Sequence, residues 1–188
     1  MNLQSYFITP PYFGALTPRD FRSALFKVLR THRPTHACFR VDQTKHTLLS
    51  CFVSTCQEFG VSSYVNLAHL CASIETALGF GFIGVHAKAN ALLALKHIPA
   101  HLHSFYSAHS VLEVQEALEQ GAHLVTLSPI FPTPNKPPAL GLEYLDRLSP
   151  TQKQRVFALG GITHSAQLPL LAHKGIKGFA GIRFFESS

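Results

Sequence analysis

The 188-residue sequence predicts an α/β fold, a small (β/α)8 TIM-type barrel with too little chain left for its last helix. Three observations lead there. Short β-rich runs alternate with helix-like segments almost from end to end, as in a parallel sheet joined by crossover helices. The alternation yields roughly eight strands, the number that closes such a barrel. The turn after the first strand reads Thr9-Pro10-Pro11-Tyr12-Phe13-Gly14, not the Gly-rich turn of an open doubly wound sheet.

Strands are expected over residues 5–9, 35–40, 61–66, 80–86, 101–107, 122–128, 155–160 and 177–183. Helices are expected over residues 17–31, 45–59, 68–78, 89–96, 111–120, 142–148 and 165–173. The first helix opens with Thr17 as cap and Pro18 in its first turn, where a missing N–H costs nothing. The clearest helix is residues 111–120. Val111, Val114 and Leu118 share one face, and Glu113, Glu116 and Glu119 another. Ser110 with Glu113 three residues on is a capping-box pattern, and Gly121 is a stop. Only residues 184–188 follow the last strand. The edge between strands eight and one is therefore expected to lie open, and a homodimer contact there would cover it.

Hydrophobic residues make up 46% and charged residues 14%, enough apolar side chain for one core and too little charge for global disorder. Residues 1–188 are read as a single domain. No run approaches the roughly 18 apolar residues of a membrane span. The first residues also lack the basic and apolar regions of a secretory leader, so a cytoplasmic location is expected. The net charge of +6 comes from Lys+Arg 16 against Asp+Glu 10. Seven of the basic residues lie between Arg19 and Lys45, mixed with apolar residues as on a solvated helix face. With no polybasic block and no nucleic-acid motif, an anionic small metabolite is the expected partner. Cys38, Cys51, Cys56 and Cys71 form no C-x-x-C pair and read as reduced core thiols.

In barrels of this type the chemistry stands where strands end and the following loops begin. Those positions hold Arg40, Asn66, His86, Ser107 and His109, then the loop Ser128-Pro129-Ile130-Phe131-Pro132-Thr133-Pro134-Asn135-Lys136. They end with Gly160-Gly161-Ile162 and Gly181-Ile182-Arg183. Gly160 and Gly161 let backbone N–H groups approach a ligand, and Gly181, Ile182 and Arg183 add more donors and a cation. Strands seven and eight are the usual phosphate end of such barrels. The bland reading of the double glycine is a tight turn alone. Thr133 and Lys136 sit in a proline-stiffened loop able to close over an anion; its bland reading is a solvated surface loop. His109 is the first acid/base candidate, since an imidazole titrating near pH 6.5 both takes and returns protons. His86 is the second. His101 and His103, two apart on one strand, are a weak metal pair because no carboxylate lies nearby. Of the carboxylates only Asp42 falls near a strand end, so a magnesium site has little to build on.

These residues resemble the thiamine phosphate synthase/TenI family of (β/α)8 barrels. Ser107-Ala108-His109-Ser110 is similar to its S-x-H-S stretch, and residues 128–136 resemble its G-P-x-F-x-T-x-x-K loop. Residues 158–162 and 178–182 resemble its phosphate-binding turns, and Tyr6-Phe7-Ile8-Thr9 its first strand. The resemblance implies one of two activities. The synthase branch joins a pyrimidine diphosphate to a thiazole phosphate with Mg²⁺. Its Q-x-R-x-K reads Cys38-Phe39-Arg40-Val41-Asp42 here, keeping only the arginine. Its Asn-Asp reads Asn66-Leu67, and its H-x-G-Q-x-D reads His86-Ala87-Lys88-Ala89-Asn90-Ala91, so both metal carboxylates are missing. The other branch, the thiazole tautomerases, aromatises a carboxythiazole phosphate without a metal, through a histidine at the S-x-H position. The resemblance therefore implies a thiazole tautomerase-like isomerase with His109 as proton shuttle and no cofactor, Mg²⁺ entering only under the synthase alternative. It implies substrate contacts at Arg40, Asn66, His86, Ser107, Thr133 and Lys136. A phosphate-binding barrel without chemistry is the third possibility.

Overall fold

A computed structural model describes residues 3–41 and 45–186. Eight parallel strands pair each with the next, and the eighth with the first, into a closed barrel. They are β1 (Gln4–Ile8), β2 (His36–Phe39), β3 (Ser62–Val65), β4 (Gly84–Ala87), β5 (His103–Ala108), β6 (Leu124–Leu127), β7 (Val156–Leu159) and β8 (Gly178–Gly181). Outside them lie α1 (Pro18–His32), α2 (His46–Glu58), α3 (Leu70–Phe80), α4 (Val111–Glu119), α5 (Pro150–Lys153) and α6 (Leu168–His173). The expected architecture is the observed one.

The register explains how the barrel is filled. Side chains alternate between inside and outside along a strand. The odd strands send Tyr6, Tyr64, Phe105 and Phe157 inward, and these four rings form one layer. Tyr6 stacks on Phe105 with centroids 4.2 Å apart, while Tyr64 and Phe157 meet Phe105 edge-on at 5.0 and 5.2 Å. Each such contact adds about 0.5–1.5 kcal/mol to the area buried. Room for the rings comes from glycines on the even strands. A Cβ on Gly178 would lie 2.5 Å from Phe157, and one on Gly84 would lie 2.9 Å from Tyr64. Above this layer the even strands contribute Cys38, His86, Thr126 and Ala180. Next toward the strand ends come Ile8, Asn66, Ser107 and Leu159.

The helices follow the sequence where capping is local. Thr17 accepts from the Asp20 N–H and caps α1, a contribution of about 1 kcal/mol. Elsewhere the crossovers are tighter than expected. Residues Ala89–His97 form 3-10 turns kinked at Ala91, and Leu142–Arg147 is a 3-10 segment before the short α5. The expected helix over 165–173 splits at Pro169, whose missing N–H falls in the first turn of α6.

Three expectations need correction. His101 precedes β5, so it does not share a strand face with His103, which stacks on His123 at 4.8 Å instead. Cys71 is exposed on α3, although Cys38 and Cys56 are core thiols. The edge between β8 and β1 is partly covered without a helix. A 3-10 turn at Arg183–Phe185 buries Phe185 against Phe7 and Phe179, with centroids 5.4 and 5.9 Å away. A cavity of about 140 Å³ lined by Phe7, Tyr12, Phe13, His32 and Phe185 remains beside it.

Candidate active site

The ends of β5 and β6 place the candidate base. His109 follows β5 and is exposed. Its Nδ1 lies 2.9 Å from the Ser128 carbonyl oxygen and 3.5 Å from the Ser128 hydroxyl. A carbonyl only accepts, so Nδ1 carries the hydrogen. In the neutral ring Nε2 then holds the free lone pair. The backbone is fixed as well. Glu113 accepts a 2.9 Å hydrogen bond from the His109 N–H, while its own N–H donates to Ser110 Oγ at 3.1 Å. The capping box read from the sequence thus closes one residue earlier than expected, on His109 itself.

Below the mouth stands His86, buried to 4% exposure. The sequence placed it at the rim. Its inward orientation on β4 instead leaves Nδ1 3.0 Å from the Tyr6 hydroxyl and Nε2 2.9 Å from Ser107 Oγ. Burial, with a lesser push from the nearby Arg40 charge, lowers its pKa to about 3, so it is neutral. Asn66 donates from Nδ2 to the His86 carbonyl at 2.8 Å. That bond fixes the amide orientation, and Asn66 Oδ1 is buried with no hydrogen-bond partner among the described residues. Arg40 is exposed, and its backbone is clamped by Thr9, whose hydroxyl accepts from the Arg40 N–H at 2.8 Å and donates to the Arg40 carbonyl at 3.2 Å.

Opposite lie the glycine turns. Gly160 and Gly161 have φ of +95° and +68°, backbone that favours glycine. A Cβ on Gly160 would lie 2.7 Å from Pro129, and one on Gly161 would lie 2.6 Å from the Pro132 carbonyl oxygen. The double glycine is thus required by the loop after β6, which crosses it and bonds through Ile130 N–H to Leu159 O and Phe131 N–H to Gly160 O. Gln167 holds the turn from the other side, accepting from the Thr163 and His164 N–H groups and donating to the Gly161 carbonyl. Among the described residues, the N–H groups of Gly161, Ile162 and Arg183 donate to no acceptor in the chain. Arg183 is exposed beyond Gly181 and Ile182. In the β6 loop Thr133 turns its hydroxyl back to the Phe131 carbonyl at 3.0 Å, and Lys136 is exposed.

A magnesium ion does not fit the donors present among the described residues. Asn66 is followed by Leu67, Lys88 stands after β4, and the described residues hold no group of three His, Cys, Asp or Glu able to ligate a metal. Asp42 lies outside the described residues. No helix among the described residues is long and apolar enough to cross a membrane. Sequence reasoning missed Tyr6 and Ser128 as partners of the two histidines. The alternation along β1 was the one signal that could have turned Tyr6 inward.

Comparison with known proteins shows the family. Residues 6–185 match the family described as thiamine monophosphate synthase, TMP-TENI. A protein of Aquifex aeolicus named "Putative thiamine-phosphate synthase 2" is 40% identical over 82 residues, 43% of this chain and 44% of its own. A thiamine-phosphate synthase of Thermosynechococcus vestitus is 30% identical over 132 residues, 64% of this chain and 34% of its own. The chain thus matches less than half the length of these curated relatives. The structure of a thiamine phosphate pyrophosphorylase from Pyrococcus furiosus superposes with a TM-score of 0.76 at 22% identity, covering 96% of this chain and 85% of that one. The barrel, its rim and the match over residues 6–185 identify the chain as a member of the thiamine monophosphate synthase/TenI family.

Proposed function

We propose that the protein is a metal-independent thiazole tautomerase-like isomerase acting on a carboxythiazole phosphate. The observation that carries this is the commitment of His109 Nδ1 to the Ser128 carbonyl at 2.9 Å, which leaves Nε2 as a base at the exposed mouth. In this reading Nε2 takes the proton from ring C2 and returns it to the exocyclic carbon, so the ring ends aromatic and the histidine neutral. The free N–H groups of Gly161 and Ile162, with Arg183, hold the phosphate. Arg40 or Lys136 faces the carboxylate. Gly160, Gly181 and Ile182 shape the phosphate end, and Asn66, Ser107 and Thr133 supply polar contacts.

The test is His109→Gln. It is expected to abolish turnover of the carboxythiazole phosphate tautomer while product binding stays within about twofold. Unchanged turnover would overturn the role of His109. The names of the curated relatives favour a second reading, thiamine phosphate synthesis from a pyrimidine diphosphate and thiazole phosphate. Against it stands the rim's lack of a metal-holding set among the described residues. The homodimer expected at the β8–β1 edge is a further proposal, and the solution mass at micromolar concentration decides it.

A further inference from the structure

One polar chain inside the barrel enters that scheme only at its outer end, Ser107. It climbs three layers of side chains, from Tyr6 in the aromatic layer through His86 to Ser107 just below the mouth. Its links are Tyr6 Oη to His86 Nδ1 at 3.0 Å and His86 Nε2 to Ser107 Oγ at 2.9 Å. Tyr6 is fully buried and His86 nearly so. The ring is therefore neutral and carries one hydrogen, which forces the chain to run in one direction. If Tyr6 donates to Nδ1, then Nε2–H donates to Ser107 Oγ and the serine hydrogen is free to point outward. If Nδ1–H donates to Tyr6, Ser107 must give its hydrogen to Nε2 and offers the mouth only lone pairs.

The partners of Tyr6 decide between these. Among the described residues its hydroxyl meets only the His86 nitrogen and the Cys38 sulfur. Cys38 is buried, and desolvation pushes its thiol up to about 12, so it remains S–H. A thiol sulfur is a weak acceptor and an unprotonated imidazole nitrogen a strong one. The phenol therefore gives its hydrogen to the ring.

We propose that Tyr6 is a positioning residue, donating to His86 Nδ1, holding the ring as its Nε2–H tautomer and turning the Ser107 hydroxyl hydrogen into the mouth. The proposal rests on the reading of the β5 end as the reacting end of the site. It gives that end a hydroxyl donor at Ser107 near the end of β5 and an imidazole acceptor at His109 just past it, two residues apart. Such a pair suits a substrate whose oxyanion, such as a carboxylate, adjoins the carbon that loses its proton.

The experiment is nitrogen NMR of protein labelled at histidine, in wild type and Tyr6→Phe. The expected wild-type spectrum has His86 Nε2 protonated and Nδ1 unprotonated. Nδ1 should also be shifted from the free unprotonated position by the hydrogen bond it accepts. In Tyr6→Phe the Nδ1 resonance should move back toward that free position while the ring stays neutral. A protonated Nδ1 in wild type, or an Nδ1 resonance unmoved in Tyr6→Phe, would overturn the proposal. If Tyr6→Phe fails to fold, the protonation of wild-type Nδ1 decides alone. The readout is on the ring itself, so its outcome is independent of whether the protein turns over a thiazole.

Discussion

The side chain of His109 and the carbonyl of Ser128 join the ends of β5 and β6 through a 2.9 Å hydrogen bond to Nδ1. One acceptor thereby sets both the orientation of the imidazole and the atom left free for chemistry. The same residue is held a second time, through its backbone N–H, by Glu113 at 2.9 Å. Ring and backbone are fixed from two different crossovers, the β6 loop and the first turn of α4.

Removing the second hold should loosen the proposed base without touching the proposed phosphate end. Glu113→Ala is expected to cost about 1 kcal/mol of stability. It should also lower kcat severalfold, with inorganic phosphate affinity unchanged. Glu113→Gln keeps an oxygen in place to accept from the His109 N–H and should stay close to wild type in kcat. Equal loss in both variants would show that the charge, not the hydrogen bond, matters.

The glycines at the proposed phosphate end separate into two kinds. At Gly160 a Cβ would lie 2.7 Å from Pro129 in backbone of φ +95°, whereas at Gly181 it would meet only ordinary contacts at 3.5 Å or beyond. Gly160→Ala should therefore destabilise the fold by about 2–4 kcal/mol. Gly181→Ala should fall within about 1 kcal/mol of wild type. Denaturant titration of the two variants checks this, and similar losses would contradict it.

Two histidines make the fold acid-sensitive. Burial lowers His86 to about 3, and burial with the nearby Lys177 and His103 charges lowers His36 to about 4, against about 6.5 in an unfolded chain. Above pH 6.5 both are neutral in both states and add no pH dependence. Below it the unfolded chain takes up protons that the folded one refuses. Stability is full above pH 6.5 and falls with pH, to about 4 through both residues and on to about 3 through His86. The slope is at most about 1.4 kcal/mol per pH unit for the buried His86 and less for the partly exposed His36. Urea midpoints at pH 7.5, 6 and 5 should fall in that order, and more gently in His36→Gln. A flat profile would contradict the account.

The alternation of strand and helix was legible because period and capping are local properties of the chain. Thr17 and Ser110 cap α1 and α4 as their spacing implies. What was not legible depends on closure of the barrel. His86 reads as a rim residue because it ends an apolar run, yet inward rotation buries it under Ser107. The roles of Tyr6 and Ser128 needed partners 80 and 19 residues away. Likewise the double glycine reads as a ligand turn, and the crossing loop after β6 supplies its steric reason. Phe185 packs beside β1 and β8 through ring contacts with Phe7 and Phe179 that local sequence does not advertise.

At the proposed phosphate end, Arg183 is an exposed cation beside N–H groups that have no acceptor among the described residues. Arg183→Ala should weaken inorganic phosphate about tenfold, a charge-assisted hydrogen bond contributing about 1.5–3 kcal/mol. Arg183→Lys should recover part of that. Calorimetric titration checks it, and unchanged affinity would move the phosphate elsewhere.

The central claim is that the rim moves a proton and does not activate a diphosphate. Its most direct test is a paired turnover assay on the purified, metal-free protein. One arm offers the carboxythiazole phosphate tautomer; the other offers pyrimidine diphosphate, thiazole phosphate and added Mg²⁺. The account predicts turnover in the first arm alone. Thiamine phosphate formed in the second arm would contradict it.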